Sequence, residues 1–204
     1  MPDLQSSVAV LTLWAVLGYA LGSIPFGLVL SRVMNLGDLR QIGSGNIGAT
    51  NVLRTGNKGA AALTLLLDAG KGAAALLLAR WITGAEDAAQ VAALAAMVGH
   101  CYPIWLGFKG GKGVATFIGL MLALHWPVGL GVCVAWLVGA AIWRMSSVGA
   151  LVAAAASTVL MVLFDHGQAI LLGGALTLLI YWRHRANIRR VKNGTEPKIG
   201  QKAA

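Results

Sequence analysis

Two glycine-rich segments of the 204-residue chain combine turn-forming residues with groups that bind anions. The first is Gly43-Ser44-Gly45-Asn46-Ile47-Gly48-Ala49-Thr50-Asn51, followed by Arg54; the second is Phe108-Lys109-Gly110-Gly111-Lys112-Gly113-Val114-Ala115-Thr116. Each runs into Ala-Thr at the start of an apparent helix. Glycines let successive N–H groups face one concavity, and a helix N-terminus carries a partial positive charge. Together they predict a face that binds two phosphate-like groups or one large anionic substrate.

Two further basic segments are predicted to share that face. Arg144-Met145-Ser146-Ser147 is a short turn with hydroxyl groups, and residues 183–190 read Arg-His-Arg-Ala-Asn-Ile-Arg-Arg. If the second segment is helical, His184 and Asn187 lie one turn apart on the same side. The neighbouring cations favour a neutral His184, which suits a hydrogen-bonding or base role.

The residue types that are missing limit the chemistry further. The acids expected on this face, Asp38, Asp68 and Glu196, are scattered, so we expect no metal site and no cofactor. The chain has no Gly-x-Ser-x-Gly elbow and no His-x4-Asp motif. Asp68 and Lys71 are spaced as an intramembrane ion pair. Any reaction must therefore rely on cationic and N–H groups.

The elements that position these residues are predicted to be membrane helices. Hydrophobic residues make up 57% of the chain and charged residues 11%, which excludes a water-soluble domain and a disordered one. The apolar stretches are Val8–Leu30, Ala60–Ala79, Ala88–Leu106, Val114–Trp143, Met145–Phe164 and His166–Trp182. The fourth is too long for one span, and His125-Trp126-Pro127 predicts a turn in its middle. We therefore predict an all-α, polytopic membrane protein with seven transmembrane helices, some of them short.

Charge placement predicts the orientation of these helices. With seven spans, fifteen of the sixteen Lys and Arg residues fall on one side and Arg80 alone on the other. The positive-inside rule then places the N-terminus outside and the C-terminus in the cytoplasm. We expect one transmembrane domain over residues 1–182, with active loops at 31–59, 107–113 and 144–147, and a basic cytoplasmic segment over residues 183–204. The net charge of +9 is explained without nucleic acid as a partner.

The motifs resemble the bacterial acylphosphate:glycerol-3-phosphate acyltransferase family, PlsY. The resemblance lies in residues 43–51 with Arg54, in Gly99-His100 through residues 108–116, and in residues 183–188, and it covers nearly the whole chain. It implies transfer of a long-chain acyl group from acyl phosphate to the sn-1 hydroxyl of glycerol 3-phosphate. The products would be lysophosphatidic acid and inorganic phosphate, in the first acylation of phospholipid synthesis.

The resemblance also implies roles for individual residues. Ser44, Arg54, Lys112, His184 and Asn187 would be catalytic. Substrate and phosphate binding would involve Gly43, Gly45, Asn46, Thr50, Asn51, Lys109, Gly110, Gly111, Gly113, Thr116 and Ser147, with Ser146 as the alternative motif serine. His100 and Glu196 would be structural.

The remaining expectations concern partners and competing functions. We expect membrane lipid as a partner, a cytoplasmic enzyme that forms acyl phosphate as a possible one, a monomer rather than an oligomer, and a bacterial inner membrane with the active face in the cytoplasm. A transporter of a phosphorylated organic anion is the alternative, because broken helices would suit it. A metal-dependent membrane phosphotransferase is disfavoured by the sparse acids.

Overall fold

The computed structural model describes residues 2–200; Met1 and residues 201–204, the end of the predicted basic segment, lie outside the described residues. The helices are α1 (Val8–Gly22), α2 (Phe26–Val33), α3 (Ala49–Val52), α4 (Lys58–Thr83), α5 (Glu86–Cys101), α6 (Val114–Leu124), α7 (Trp126–Trp143), α8 (Ser146–Leu163), α9 (Ile170–Arg183) and α10 (Arg185–Lys192). Short 3-10 turns occupy Leu53–Thr55, Ile104–Leu106 and Gly167–Ala169. No strand occurs within residues 2–200, so the predicted all-α class is confirmed.

Five segments are long and apolar enough to cross a membrane alone. They are Val8–Val33, Lys58–Thr83, Glu86–Leu106, Trp126–Trp143 and Ser146–Leu163. The other two apolar helices are short, with 11 residues in α6 and 14 in α9. The predicted turn at His125 is present, because α6 ends at Leu124 and α7 begins at Trp126. The structure is thus a multi-pass helical protein in which two of the predicted spans fall short of a full crossing.

The predicted first span, Val8–Leu30, is not one helix. The structure breaks it into α1 and α2 immediately before Phe26, at Pro25. Proline has no N–H and its ring clashes with the preceding turn, so a helix cannot continue through it unchanged. The stretch still forms one candidate span, Val8–Val33, but as two helices rather than the single helix that was predicted.

Long side chains from other segments donate hydrogen bonds to backbone carbonyls at this break. The Lys71 ammonium donates to the carbonyl oxygen of Ile24 at 2.6 Å, and the Trp105 indole N–H donates to that of Ser23 at 2.8 Å. Lys71 also pairs with Asp68 at 2.8 Å, as the spacing predicted. An unpaired backbone carbonyl is costly inside a bilayer, so these contacts stabilise the break.

Small residues allow the central helices to cross closely. A Cβ added at Gly22 of α1 would lie 2.0 Å from the carbonyl oxygen of Ala96 in α5. A Cβ added at Gly119 of α6 would lie 2.1 Å from the carbonyl oxygen of Ala69 in α4. Because lipid supplies no hydrophobic drive between helices, such backbone contact is how membrane helices gain packing energy. Here it fixes α4 and α6, two walls of the site described below.

Candidate active site

The loops and helix ends described above surround one cavity of about 470 Å³. It brings together the predicted site residues Ser44, Asn46, Thr50, Asn51, Arg54, His100, Lys112, Gly113, Ser147, His184, Asn187 and Glu196. Six others do not line it: Gly43, Gly45, Lys109, Gly110, Gly111 and Thr116. The predicted convergence of distant segments is therefore present, and the six remaining residues lie outside the cavity lining.

Lys112 projects its ammonium group into a poorly hydrated part of this cavity. Burial lowers the pKa of Lys112 to about 8, because the charged form loses its water. The Glu196 carboxylate opposes this shift. Three guanidinium groups add to it, those of Arg190, Arg183 and Arg54. Lys112 is thus mostly charged at neutral pH. A bound anion would stabilise this charge, which burial and the neighbouring arginines disfavour.

His184 is held as a neutral imidazole. Its Nδ1 lies 2.8 Å from the carbonyl oxygen of Ile180, and since a carbonyl can only accept, Nδ1 carries the proton and Nε2 is the acceptor. Burial, with Lys112 second, lowers the pKa of His184 to about 4. This agrees with the expectation drawn from the basic sequence around it. A group with so low a pKa orients a hydroxyl well but is a weak base.

Glu196 closes the cavity from the C-terminal tail. One oxygen, Oε1, accepts from the Ser147 hydroxyl and from the Asn187 amide, both at 2.6 Å, and Oε2 accepts from Arg190 Nε at 2.7 Å. These hydrogen bonds lower the pKa of Glu196 despite its burial. They also distinguish Ser147 from Ser146 as the serine engaged in the buried network. The structural role of Glu196 stays a prediction, and these contacts are those through which it would act.

The Ser44 loop, residues 43–54, is organised by Asn51. The buried Asn51 side chain donates to the carbonyl oxygen of Leu39 at 2.8 Å and accepts from the Ser44 N–H at 3.3 Å. Gly43 is left-handed, with φ of 53°, and a Cβ there would lie 2.3 Å from a guanidinium nitrogen of Arg54. Within residues 2–200 no carboxylate forms a salt bridge with Arg54, so its charge is available to an anion.

The Lys112 loop, residues 107–113, differs from the predicted cradle of glycine N–H groups. The N–H of Gly110 donates to the carbonyl oxygen of Cys101 and that of Gly111 to the carbonyl oxygen of His100, both at 3.1 Å. These two N–H groups are therefore not offered to an anion, which corrects the sequence interpretation. The donors that remain are the Lys112 side chain and the first-turn N–H groups of α6, which have no preceding helical carbonyl to bond.

Three further predicted residues lie around the cavity walls: Thr116 and Lys109 are outside the cavity lining, whereas His100 is part of it. Thr116 is fully buried in α6, where its methyl group would lie 2.8 Å from a Cβ added at Gly72. Lys109 is exposed; its carbonyl oxygen accepts from Arg40 at 2.6 Å, and its N–H donates to the carbonyl oxygen of Leu106 at 3.2 Å. His100 is buried with its ring against Gly111, where an added Cβ would lie 2.2 Å from Nε2. We find these positions consistent with support of the loop rather than direct contact with an anion.

Two cationic residues of the cavity lining and one arginine outside it were absent from the predicted site residues. Arg190 and Lys58 add cationic groups, and Arg183 donates to two carbonyl oxygens of the Lys112 loop. Arg190 follows Asn187 by three residues, as Asn187 follows His184, so its helical spacing would have revealed it. Arg183 stands in the predicted basic segment 183–190, but its contacts with the distant Lys112 loop could not be read from that segment. Lys58 carried no signal of its own.

One wall of the cavity is apolar. Ala61, Ala62 and Leu65 of α4 face Ile118 of α6 and Trp136 of α7 there. The cavity thus joins a cationic end to a hydrocarbon-like side, which suits an amphipathic substrate with an anionic head. Within the described residues no group of three or more His, Cys, Asp or Glu side chains is arranged to hold a metal ion.

The sequence matches known glycerol-3-phosphate acyltransferases over nearly its whole length. A family model described as glycerol-3-phosphate acyltransferase matches residues 12–194. The chain is 72% identical over 204 residues to the glycerol-3-phosphate acyltransferase of Ruegeria pomeroyi, covering 100% of both. It is 61% identical over 204 residues to that of one Cereibacter sphaeroides strain, covering 100% of this chain and 97% of the relative.

Solved structures agree with these relatives. The crystal structure of PlsY (YgiH), an integral membrane glycerol 3-phosphate acyltransferase, in its glycerol 3-phosphate form gives a TM-score of 0.86 at 35% identity, over 93% of this chain and 96% of that one. The lysophosphatidic acid form gives 0.85 at 34%, over 93% and 95%. These matches confirm the resemblance drawn from the motifs. The chain therefore belongs to the glycerol-3-phosphate acyltransferase family of integral membrane enzymes.

Proposed function

We propose that this acyltransferase takes its long-chain acyl group from acyl phosphate and transfers it to the sn-1 hydroxyl of glycerol 3-phosphate. The products are lysophosphatidic acid and inorganic phosphate. The observation that carries this proposal is the meeting of Arg54 and Lys112 with the neutral His184 in one cavity that has an apolar wall. Two phosphate-bearing substrates need the cationic groups, the attacking hydroxyl needs a hydrogen-bond acceptor, and the acyl chain needs the apolar wall.

The charge of the cavity supports two anionic substrates. Four cationic side chains line it, from Arg54, Lys58, Lys112 and Arg190, and only two carboxylates do, from Asp68 and Glu196. Both carboxylates are already paired, with Lys71 and Arg190 respectively. The remaining positive charge can therefore neutralise phosphate oxygens, with Ser44 and Asn46 supplying further hydrogen-bonding groups.

The donor chemistry fits a site without a strong acid or base. The attacking hydroxyl oxygen forms the new ester bond, the bond between the acyl carbon and the phosphate oxygen breaks, and the hydroxyl proton ends on the released phosphate. His184, with a pKa of about 4, would orient the hydroxyl through Nε2 rather than keep the proton. Lys112 and Arg54 would stabilise the charge that develops on the departing phosphate.

Direct transfer is favoured over an acyl-enzyme. The Ser147 hydroxyl donates to Glu196, but Glu196 also accepts from Asn187 and Arg190, and these bonds lower its pKa. A carboxylate so stabilised is a poor base and does not activate a serine. Ser44 is exposed, and among the described residues no histidine or carboxylate hydrogen-bonds to its hydroxyl.

The enzyme is further proposed to cross the bacterial inner membrane seven times, with its N-terminus outside and its active face in the cytoplasm. The two short helices, α6 and α9, would complete the seven by packing against longer neighbours or by local thinning of the bilayer. The Ser44 loop, the Lys112 loop and α10 meet at one cavity. Together they carry seven cations, four in α10, two in the Lys112 loop and one in the Ser44 loop, as the positive-inside rule requires of a cytoplasmic face.

Partner and assembly proposals follow from the same geometry. Every group proposed for catalysis comes from one chain, so a monomer is sufficient. Acyl phosphate reaches the site from the membrane plane or from a cytoplasmic enzyme that forms it. Lysophosphatidic acid would return to the bilayer and phosphate to the cytoplasm.

The decisive experiment measures phosphate release by the purified protein in lipid, without added metal. Palmitoyl phosphate is supplied with and without glycerol 3-phosphate, and palmitoyl-CoA serves as the parallel donor. We expect phosphate release that requires glycerol 3-phosphate, with lysophosphatidic acid formed and no product from the CoA ester. Equal or faster acylation from palmitoyl-CoA by a folded preparation would exclude the acyl-phosphate proposal while leaving the acyltransferase family assignment intact.

A further inference from the structure

The Lys112 loop has a second layer of contacts that the reaction scheme above does not use. Three consecutive carbonyl oxygens of this loop accept hydrogen bonds from arginine side chains. Lys109 O accepts from Arg40 at 2.6 Å, and Gly110 O and Gly111 O accept from Arg183 at 3.0 and 3.1 Å. Arg183 itself does not line the cavity.

Arg183 is suited to hold peptide groups in a fixed direction. Its Nη2 reaches Gly110 O while its Nε reaches Gly111 O, so one planar fork fixes two successive carbonyls. The guanidinium also lies over the Tyr102 ring at 4.9 Å, which fixes its plane. A carbonyl oxygen directed at a guanidinium is not directed at a phosphate, where its partial negative charge would be repulsive.

The position of Arg183 in the chain links the two catalytic walls. It is the last residue of α9 and directly precedes His184, which lines the cavity. The carbonyl that it holds at Gly111 directly precedes Lys112. One side chain therefore couples the placement of the imidazole to the placement of the ammonium group.

We propose that Arg183 is a positioning residue for acyl transfer, holding the carbonyls of Gly110 and Gly111 so that Lys112 faces the anionic substrates. This inference rests on the proposed phosphate-binding role of Lys112. It assigns to Arg183 an effect exerted through the loop backbone and through its charge, without contact with substrate.

The charge of Arg183 predicts a change in the pH dependence of activity, which the loss of a purely structural residue would not cause. Arg183 is one of the groups that lower the pKa of Lys112, together with Arg190 and Arg54, whereas Glu196 raises it. His184 is the other titratable neighbour, and it is neutral over the range concerned. Removing the Arg183 charge therefore raises the pKa of Lys112 and moves any activity loss that follows its deprotonation to higher pH.

The test compares Arg183→Gln and Arg183→Lys with the matched control Arg185→Gln, all as full-length protein in lipid. Arg185 is exposed, lies over Trp182 and bonds only locally, to the Trp182 carbonyl oxygen. We expect Arg183→Gln to raise the KM for glycerol 3-phosphate by at least about tenfold and to shift the alkaline limb of kcat/KM to higher pH. Arg183→Lys keeps the charge but not the fork, so its KM should rise while its alkaline limb stays at the wild-type position.

Unchanged KM and alkaline limb in Arg183→Gln, relative to Arg185→Gln, would overturn the proposal. If Arg183→Gln does not fold, the decision passes to Arg183→Lys, and an unchanged KM in that variant overturns it equally. Lys112→Ala, assayed in parallel, separates the two levels of inference. Near-normal activity in Lys112→Ala would remove the role of Lys112 whatever the Arg183 variants show, whereas an inactive Lys112→Ala with unaffected Arg183 variants would remove only the positioning role.

Discussion

Lys112 and His184 show how burial gives two titratable side chains of one cavity different tasks. Both lose hydration, which penalises their charged forms. The pKa of Lys112 falls only to about 8, so the ammonium persists at neutral pH. The pKa of His184 falls to about 4, so the imidazole is neutral there. One group can thus neutralise phosphate while the other accepts a hydrogen bond.

The activity should accordingly decline at alkaline pH. Lys112 is charged below its pKa of about 8 and loses its charge above it, so kcat/KM should fall by about tenfold per pH unit well above pH 8. Lys112→Arg keeps its charge throughout and should lose this alkaline limb. Lys112→Ala should lower kcat/KM by at least about a hundredfold at neutral pH while the protein stays folded. A wild-type profile that is flat to pH 10 would contradict this role.

Glu196 should contribute to stability in a pH-dependent way. Its folded-state pKa is lowered, so its stabilisation is present above the unfolded pKa and is lost as pH falls through the folded value. Glu196→Gln should lower the free energy of unfolding by about 1–3 kcal/mol at pH 7, since Gln cannot accept at both of its terminal atoms. Thr195→Ala is the control, because the Thr195 side chain makes one long hydrogen bond, to the carbonyl oxygen of Arg190 at 3.4 Å. Thermal unfolding at pH 7 and pH 4 checks the result: the difference between wild type and Glu196→Gln should shrink at pH 4.

At the scale of elements, close helix crossings determine where the cavity walls stand. The helices α4 and α6 approach closely at Gly119 and Gly72. A Cβ at Gly119 would clash with the backbone of Ala69, and a Cβ at Gly72 would clash with Thr116. The Lys112 loop leads directly into α6, and α4 supplies the apolar wall at Ala61, Ala62 and Leu65. A change in this crossing is therefore transmitted to both the cationic and the apolar parts of the site.

Gly119→Ala should test this coupling. The added Cβ would lie 2.1 Å from the carbonyl oxygen of Ala69, so α4 and α6 must move apart. We expect a Tm lower by several degrees, from a destabilisation of about 1–3 kcal/mol, together with reduced turnover. Gly70→Ala is the matched control, because a Cβ there meets nothing within 4 Å. Equal unfolding temperatures for the two variants would show that the crossing is not tight.

At the scale of the whole molecule, the surface separates into lipid-facing and basic regions. Large apolar side chains such as Trp81 and Leu178 are 81% and 73% exposed, as expected where lipid replaces water. The basic segments instead gather around the cavity at Arg54, Lys58 and Arg190. This distribution would hold the acyl chain at the level of the bilayer and both phosphates at its surface.

The orientation can be checked with single cysteines. In a Cys101→Ala, Cys133→Ala background, Gly167→Cys lies in the turn between α8 and α9, and Lys192→Cys lies at the end of α10. We expect a membrane-impermeant maleimide to label Gly167→Cys in intact spheroplasts and Lys192→Cys only after permeabilisation. The reverse pattern would invert the proposed topology, and labelling of both sites from one side would show that α9 does not cross the membrane.

Local patterns in the sequence determined much of this protein. Apolar runs of sufficient length predict membrane helices, and His125-Trp126-Pro127 predicts the separation of α6 from α7, because both signals lie within a few neighbouring residues. The motifs likewise identified the family, and twelve of the eighteen predicted site residues line the cavity. The helical spacing of His184 and Asn187 was enough to place them on one face.

Only the tertiary structure decided how the backbone and the tail are used. The N–H groups of Gly110 and Gly111 bond within the chain, whereas the motif alone had predicted that they bind an anion. Glu196 reaches Ser147 across 49 positions of sequence, and Arg183 reaches Gly111 across 72. Such contacts depend on how distant helices pack, which no local pattern specifies. The sequence therefore determined which chemical groups are present, and packing determined which of them face the substrates.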